Sequence, residues 1–168
     1  MTSKQVTDAF SLFDIDVPAA KKEMLEALGD IRGFEVWGDQ VLLGVFVRPA
    51  RTKGKIIYGG VAKEDIWQGK VGLILAIGPD AFTEADKTFN GRKPEVGDWA
   101  WHNVNEITCQ HFLAGPGFIK HTYKVDKDGR LDPDGVREED VRDWTGWPVR
   151  VVAGRNIYGR VDNPGILL

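Results

Sequence analysis

The sequence predicts a mostly β chain with a short helix near its start. Two apolar runs carry the β prediction. Val41-Leu42-Leu43-Gly44-Val45-Phe46-Val47 and Val71-Gly72-Leu73-Ile74-Leu75-Ala76-Ile77 are rich in β-branched and aliphatic residues, and Gly or Pro bounds each. Runs of that length between chain breakers read as buried strands rather than helices. Val45, Val47, Leu73, Leu75 and Ile77 are the expected inward residues. The helix is predicted over Val17–Gly29: Asp16 can cap it, Pro18 fits its first turn, Gly29 can stop it, and Met24, Leu25 and Leu28 share a face. With 42% hydrophobic and 28% charged residues among 168, the chain can bury a core.

Between the two runs lies Arg48-Pro-Ala-Arg-Thr-Lys-Gly-Lys55, then Ile56-Ile57-Tyr58 and Gly59-Gly60. Arg48, Arg51, Lys53 and Lys55 predict a solvated stem. Glycine on both sides of the apolar triplet offers no stiffness. Two readings stay open: a short third strand over Lys55–Tyr58, or a segment that orders when its three apolar side chains dock into a partner's groove.

Along the rest of the chain, Phe10, Leu12, Phe13 and Ile15 precede the helix as an apolar stretch, and Ile166, Leu167 and Leu168 form an apolar tip at the other end. Each set either covers the protein's own core or makes contacts between subunits of an oligomer. Phe34–Trp37 is expected as a short edge strand. Pro79–Phe82 turns out of the second run, and polar residues follow to Pro94. Val96–Val104 resumes strand character through Trp99 and Trp101. Ile107–Phe112 and Gly117–Val125 are candidate added strands, and Val136–Asp143 a candidate short helix. Of the six tryptophans at least two are expected at subunit contacts, because a small core does not easily bury them all.

Composition and motifs narrow the function. The net charge of −3 has both signs interspersed, with no basic face for nucleic acid. The longest apolar runs, about 7 residues, are too short to span a bilayer, and no secretory signal is visible at the N-terminus. Cys109 is the one cysteine, which suits a reducing compartment. His102, Cys109, His111 and His121 put three histidines and the one cysteine within twenty positions, but their spacing matches no familiar zinc site. The run Asp126–Gly135 has Arg130 where a calcium loop needs its third ligand, and its glycine falls two positions early. There is no nucleophile elbow, P-loop or dinucleotide fingerprint. The expectation is a non-enzyme with no cofactor and no metal.

Several segments in order resemble one family. Val45-Phe46-Val47-Arg48-Pro49 is followed by Gly54-Lys55-Ile56-Ile57-Tyr58, by Gly69-Lys70-Val71 through Ala76-Ile77-Gly78, by Val96-Gly97-Asp98-Trp99, and by Val149–Val152 with Ile157–Val161. These are similar to the strands, docking loop and closing strands of GroES-type co-chaperonins. Gly78-Pro79-Asp80-Ala81-Phe82 and Val161-Asp162-Asn163-Pro164 resemble the variants of tailed bacteriophages. The resemblance covers about Gly38–Asn105 and Trp147–Pro164. It implies a small GroES-like β-barrel (34–104 and 147–168) with an N-terminal helical arm (1–33) and a β-rich insertion (105–146). It also implies a homo-oligomer that caps a GroEL-type chaperonin in a bacterial host's cytoplasm, with Ile56, Ile57 and Tyr58 in the ring's groove. The arm, the insertion and an aromatic Tyr58 depart from the family. They keep a second expectation open: a capsid decoration or cement protein bound to a phage major capsid protein on the virion surface.

Overall fold

The computed structural model describes residues 15–48, 65, 67–83, 91–113, 123–125, 131–136 and 147–166. The chain folds as helix α1 (Val17–Leu28), then strands β1 (Gln40–Val45), β2 (Val71–Ile77), β3 (Trp99–His102), β4 (Ile107–Leu113), β5 (Tyr123–Val125), β6 (Leu131–Val136), β7 (Trp147–Ala153) and β8 (Ile157–Arg160). Six strands form one sheet in the order β4-β7-β1-β2-β3-β8, and β5 pairs with β6 separately. Every pairing is antiparallel. The strand order is linear, with β4 and β8 at its ends. The molecule is mostly β, as the two apolar runs predict.

Both runs are buried nearly throughout because both faces of the sheet are covered. On one face, Leu42, Phe46, Val71, Leu73, Leu75, Trp99, Trp147 and Val149 pack with Met24, Ala27 and Leu28 of α1. On the other, Val41, Leu43, Ile74, Ala100, Val152 and Ile157 surround Phe82. The expected inward residues therefore divide: Leu73 and Leu75 face the helix, whereas Ile77 packs with the cluster around Phe82. Val45 is buried opposite Gly72, one step along from the helix-facing pair Gly44 and Leu73.

The helix starts where Asp16 Oδ1 accepts the Ala19 N–H at 3.0 Å and ends at Gly29, whose φ is 69°. Its approach to the sheet depends on Gly44, where a Cβ would lie 2.5 Å from Met24 Sδ. Lys21 Nζ donates to Gly97 O at 2.9 Å and ties the outer end of α1 to the turn before β3. Phe34–Trp37, expected as an edge strand, has no strand pairing. Its nearest ladder position, Gln40, already pairs with Ala153 at the start of β1.

Strands β3 and β4 lie four places apart in the order yet are joined only through Asn103 and the 3-10 turn Val104–Glu106. Strands β7 and β8 are joined the same way through Gly154–Asn156. Because neighbouring strands alternate in direction, the chain keeps its direction across each turn. β3 with β4, and β7 with β8, are thus two long strands bent at facing corners. They pair with each other along their length, from Ala100 opposite Arg160 to Leu113 opposite Trp147. One irregularity adds Tyr158 to one strand and the other adds Thr108 to its partner, so the two offsets cancel. At the corner, Asn156 Nδ2 donates to Glu106 O at 3.1 Å and the Asn103 N–H to Asn156 O at 3.4 Å. The hairpin β5–β6 pairs Tyr123 with Val136 and Val125 with Leu131, with a shift of register between the two. Residues 107–113, within the stretch expected as an insertion, are a strand of the main sheet.

Candidate functional site at the root of residues 49 to 64

The face that holds Phe82 changes character along its strands. On β7, Val152 is apolar and Arg150, two residues earlier on the same side, is charged. On β3, Ala100 is followed on that side by His102. Period-two geometry thus aims a guanidinium and an imidazole at one end of a buried face. Arg150 is fully buried and His102 is 2% exposed.

What meets them is the start of the chain's return to β2. Asp65, Trp67 and Gln68 are helical, and the Gly69 N–H donates to Asp65 O at 2.8 Å. That turn is tight enough to need glycine, since a Cβ at Gly69 would lie 2.5 Å from Asp65 O. Arg150 Nη1 donates to Gly69 O, and Nη2 to Asp65 O at 3.4 Å. The cation thereby sits against the carbonyl end of the turn, where the backbone dipoles favour positive charge.

The Asp65 carboxylate faces Arg48, the last described residue before the segment. Its Oδ2 accepts the Arg48 backbone N–H at 2.7 Å. Its Oδ1 takes both Arg48 Nε at 2.7 Å and Nη2 at 2.6 Å. The two side chains are 13% and 5% exposed, so water screens the pair little. This corrects the expectation of a solvated stem for Arg48: its guanidinium turns inward because a buried carboxylate from the other end of the segment is there to receive it.

His102 is held in one tautomer. Nδ1 lies 3.2 Å from Asn103 O and can only donate to it, which leaves the Nε2 lone pair toward Arg150 Nη1 at 3.5 Å. Burial, and then the Arg150 charge, work against the imidazolium, and the histidine is pushed down to about 4. Burial also pushes Arg150 down to about 10, with Asp65 opposing, so it stays charged at neutral pH. The site is a charge-assisted clamp built from four separate stretches of chain: Arg48, Asp65–Gly69, His102–Asn103 and Arg150. Its geometry fixes backbone and offers no nucleophile.

Of the residues singled out from the sequence, Ile56, Ile57, Tyr58, Phe10, Leu12, Phe13, Leu167 and Leu168 lie outside the described residues. Ile15 is half-buried against the helix-side core, and its Cδ1 occupies the space a Cβ on Gly165 would need. Ile166 ends the 3-10 turn Pro164–Ile166. Among the tryptophans, Trp99 and Trp147 are buried, and Trp147 Nε1 donates to Val45 O at 3.0 Å. Trp37, Trp67 and Trp101 are exposed. Cys109 is half-buried on β4, and among the described residues no three His, Cys, Asp or Glu side chains converge as metal ligands. No described helix is long and apolar enough to cross a membrane.

Sequence reasoning missed the inward Arg150 and the partnership of Arg48 with Asp65. The usable signal was the alternation Val149-Arg150-Val151-Val152, which places Arg150 on the same side as Val152.

No protein-family model matches the chain, and no curated protein matches it.

Proposed function

We propose that this protein is a GroES-type co-chaperonin of the kind carried by tailed phages. In this reading a ring of subunits caps a GroEL-type chaperonin in the host cytoplasm and encloses a client, plausibly a capsid protein. Ile56, Ile57 and Tyr58 are the docking triplet. The observation that carries the reading is the clamp. The stretch whose sequence resembles the family's docking loop lies between two residues, Arg48 and Asp65, seventeen positions apart and bound to each other by a buried ion pair. The two ends of that stretch are thus held together beside the sheet. The small barrel of the family is supported by the two bent strands: β3 with β4, and β7 with β8, each join without reversal two strands four places apart in the order, and the Phe82 cluster takes residues from β1, β2, β3, β7 and β8.

The test is capture by a bacterial GroEL-type ring in the presence of nucleotide. The unaltered chain is expected to bind, and Ile57→Asp to lose binding with an unchanged melting temperature, because an unpaired charge is costly in an apolar groove. Capture of Ile57→Asp at the unaltered level would remove Ile56–Tyr58 from the role of docking triplet.

A second reading, a decoration or cement protein on the virion surface, is favoured by β4 and the β5–β6 hairpin, which lie in the stretch where the sequence departs from the family. Mass spectrometry of purified particles separates the two. Stoichiometric copies in the virion support decoration, and their absence supports the chaperone.

A further inference from the structure

We propose that the β3–β8 pair carries a docking site for an arginine side chain of a partner protein: the rings of Trp101 and Tyr158 receive the flat guanidinium, and the Glu106 carboxylate receives its N–H groups. This site needs neither the clamp nor the docking triplet.

Two backbone features bring the rings together. Trp101 lies two residues after Trp99 on the same side of β3. Trp99 is buried in the core beneath α1, whereas Trp101 is 37% exposed. Gly159 stands opposite Trp101 in the ladder, and a Cβ there would collide with Trp101 Nε1. The indole therefore lies down on the neighbouring strand where a side chain would otherwise be. One residue earlier, β8 carries its extra residue, Tyr158. An extra residue of this kind re-aims a side chain. Tyr158 meets Trp101 with ring centroids 5.3 Å apart and planes at 64°, and it stays 46% exposed.

Charge decides what this aromatic corner takes. Tyr158 Oη lies 3.5 Å from Glu106 Oε2. Glu106 is placed by its own backbone: its N–H donates to Asn103 O at 3.3 Å, and its O accepts from Asn156 Nδ2 at 3.1 Å. Among the described residues its carboxylate has no cationic partner. The two arginines on the facing turn and strand, Arg155 and Arg160, reach Asp39 at 2.8 Å and Asp162 at 3.3 Å instead. A carboxylate beside two ring faces, each carrying the negative end of an aromatic quadrupole, favours a cation. Arginine fits better than lysine. Its guanidinium is planar, weakly hydrated and able to stack on an indole while donating several N–H groups in one plane to a carboxylate, whereas an ammonium is a strongly hydrated point charge.

The test titrates the full chain, labelled with fluorotryptophan, with Nα-acetyl-arginine amide. Fluorine NMR follows the resonance that Trp101→Tyr removes, and a saturable shift of it is expected. Nα-acetyl-citrulline amide has the same plane without the charge and is expected to bind about fivefold more weakly, with the lysine analogue in between. Glu106→Gln keeps both rings and a partner for Tyr158, so it is expected to melt as the unaltered chain does and to bind the arginine amide about fivefold more weakly.

Equal affinity for the arginine and citrulline amides, or undiminished arginine affinity in Glu106→Gln, would overturn the proposal. So would a shift that rises without saturation at every tryptophan resonance, or tighter binding of methyl glucoside, which would make the corner a sugar surface. A Trp101 resonance that moves with protein concentration and not with the arginine amide would make the face a contact between copies of this chain, and the proposal would fall.

Discussion

Two hairpins of the molecule are built on opposite plans. In the first, β1 and β2 pair over a short ladder, and the connection that follows is held at its base by side chains: Arg48, Asp65, Arg150 and His102. In the second, β3–β4 and β7–β8 pair through two corners and are held by the backbone ladder itself, with side chains needed only where the strands bend. Side-chain clamping concentrates the hold in a few buried charges that tolerate no loss of a partner. Ladder clamping spreads it over many hydrogen bonds of modest individual worth.

The largest effect that would expose this contrast is at Asp65. Asp65→Ala leaves the Arg48 guanidinium, 13% exposed, without the carboxylate that receives it. Removing one member of a buried ion pair typically costs about 3–5 kcal/mol, which urea denaturation at neutral pH would show as a large fall in midpoint. A cost below about 1 kcal/mol would place the pair among screened surface bridges.

Next comes acid. The imidazole of His102 stays neutral in the fold down to about pH 4, whereas in the unfolded chain it takes up a proton near its ordinary 6.5. The unfolded state therefore binds more protons in that window. The histidine's contribution is fully present above pH 6.5 and is lost as pH falls toward 4. The linkage amounts to about 2 kcal/mol between pH 7.5 and pH 5. The difference in stability between those two pH values should shrink by that amount in His102→Gln, and an unchanged difference would show that the imidazole takes up its proton in the fold as readily as in water.

The smallest effect is at the corner. Asn156→Ala removes the bond to Glu106 O and should cost about 0.5–1.5 kcal/mol, because the paired strands on either side stay intact. A loss of several kcal/mol would mean that the corner, rather than the ladder, holds the second hairpin.

The first hairpin was the more legible in sequence and the second the less. Val71–Ile77 reads as a strand from its composition alone, with the observed bounds. The helix announces itself through Asp16, Pro18 and Gly29. The second hairpin hides because its pattern is local at neither corner: Asn103–Glu106 and Gly154–Asn156 read as breaks, and residues beyond Asn105 read as an addition to the fold. Only the register shows that Ile107 continues the path of His102. The clamp was half legible. Arg150 has the right spacing to share a side with Val152, but alternation does not tell which side of a strand faces inward when both are buried. Arg48 was read as solvated because a run of cations near proline and glycine usually is, and nothing in the spacing of Arg48 and Asp65 marks them as partners.

The compensated offsets at Tyr158 and Thr108 impose a rule on how the second hairpin can change length. Each bent strand carries one extra residue, on opposite arms and on opposite sides of the corner. A single insertion in either arm would throw every later side chain to the wrong side of the sheet, carrying Arg150 toward the helix and Val149 toward His102. Insertions or deletions in this part of the chain are thus expected to come in matched pairs, one on each arm, or to fall outside the paired strands, as between Val125 and Leu131.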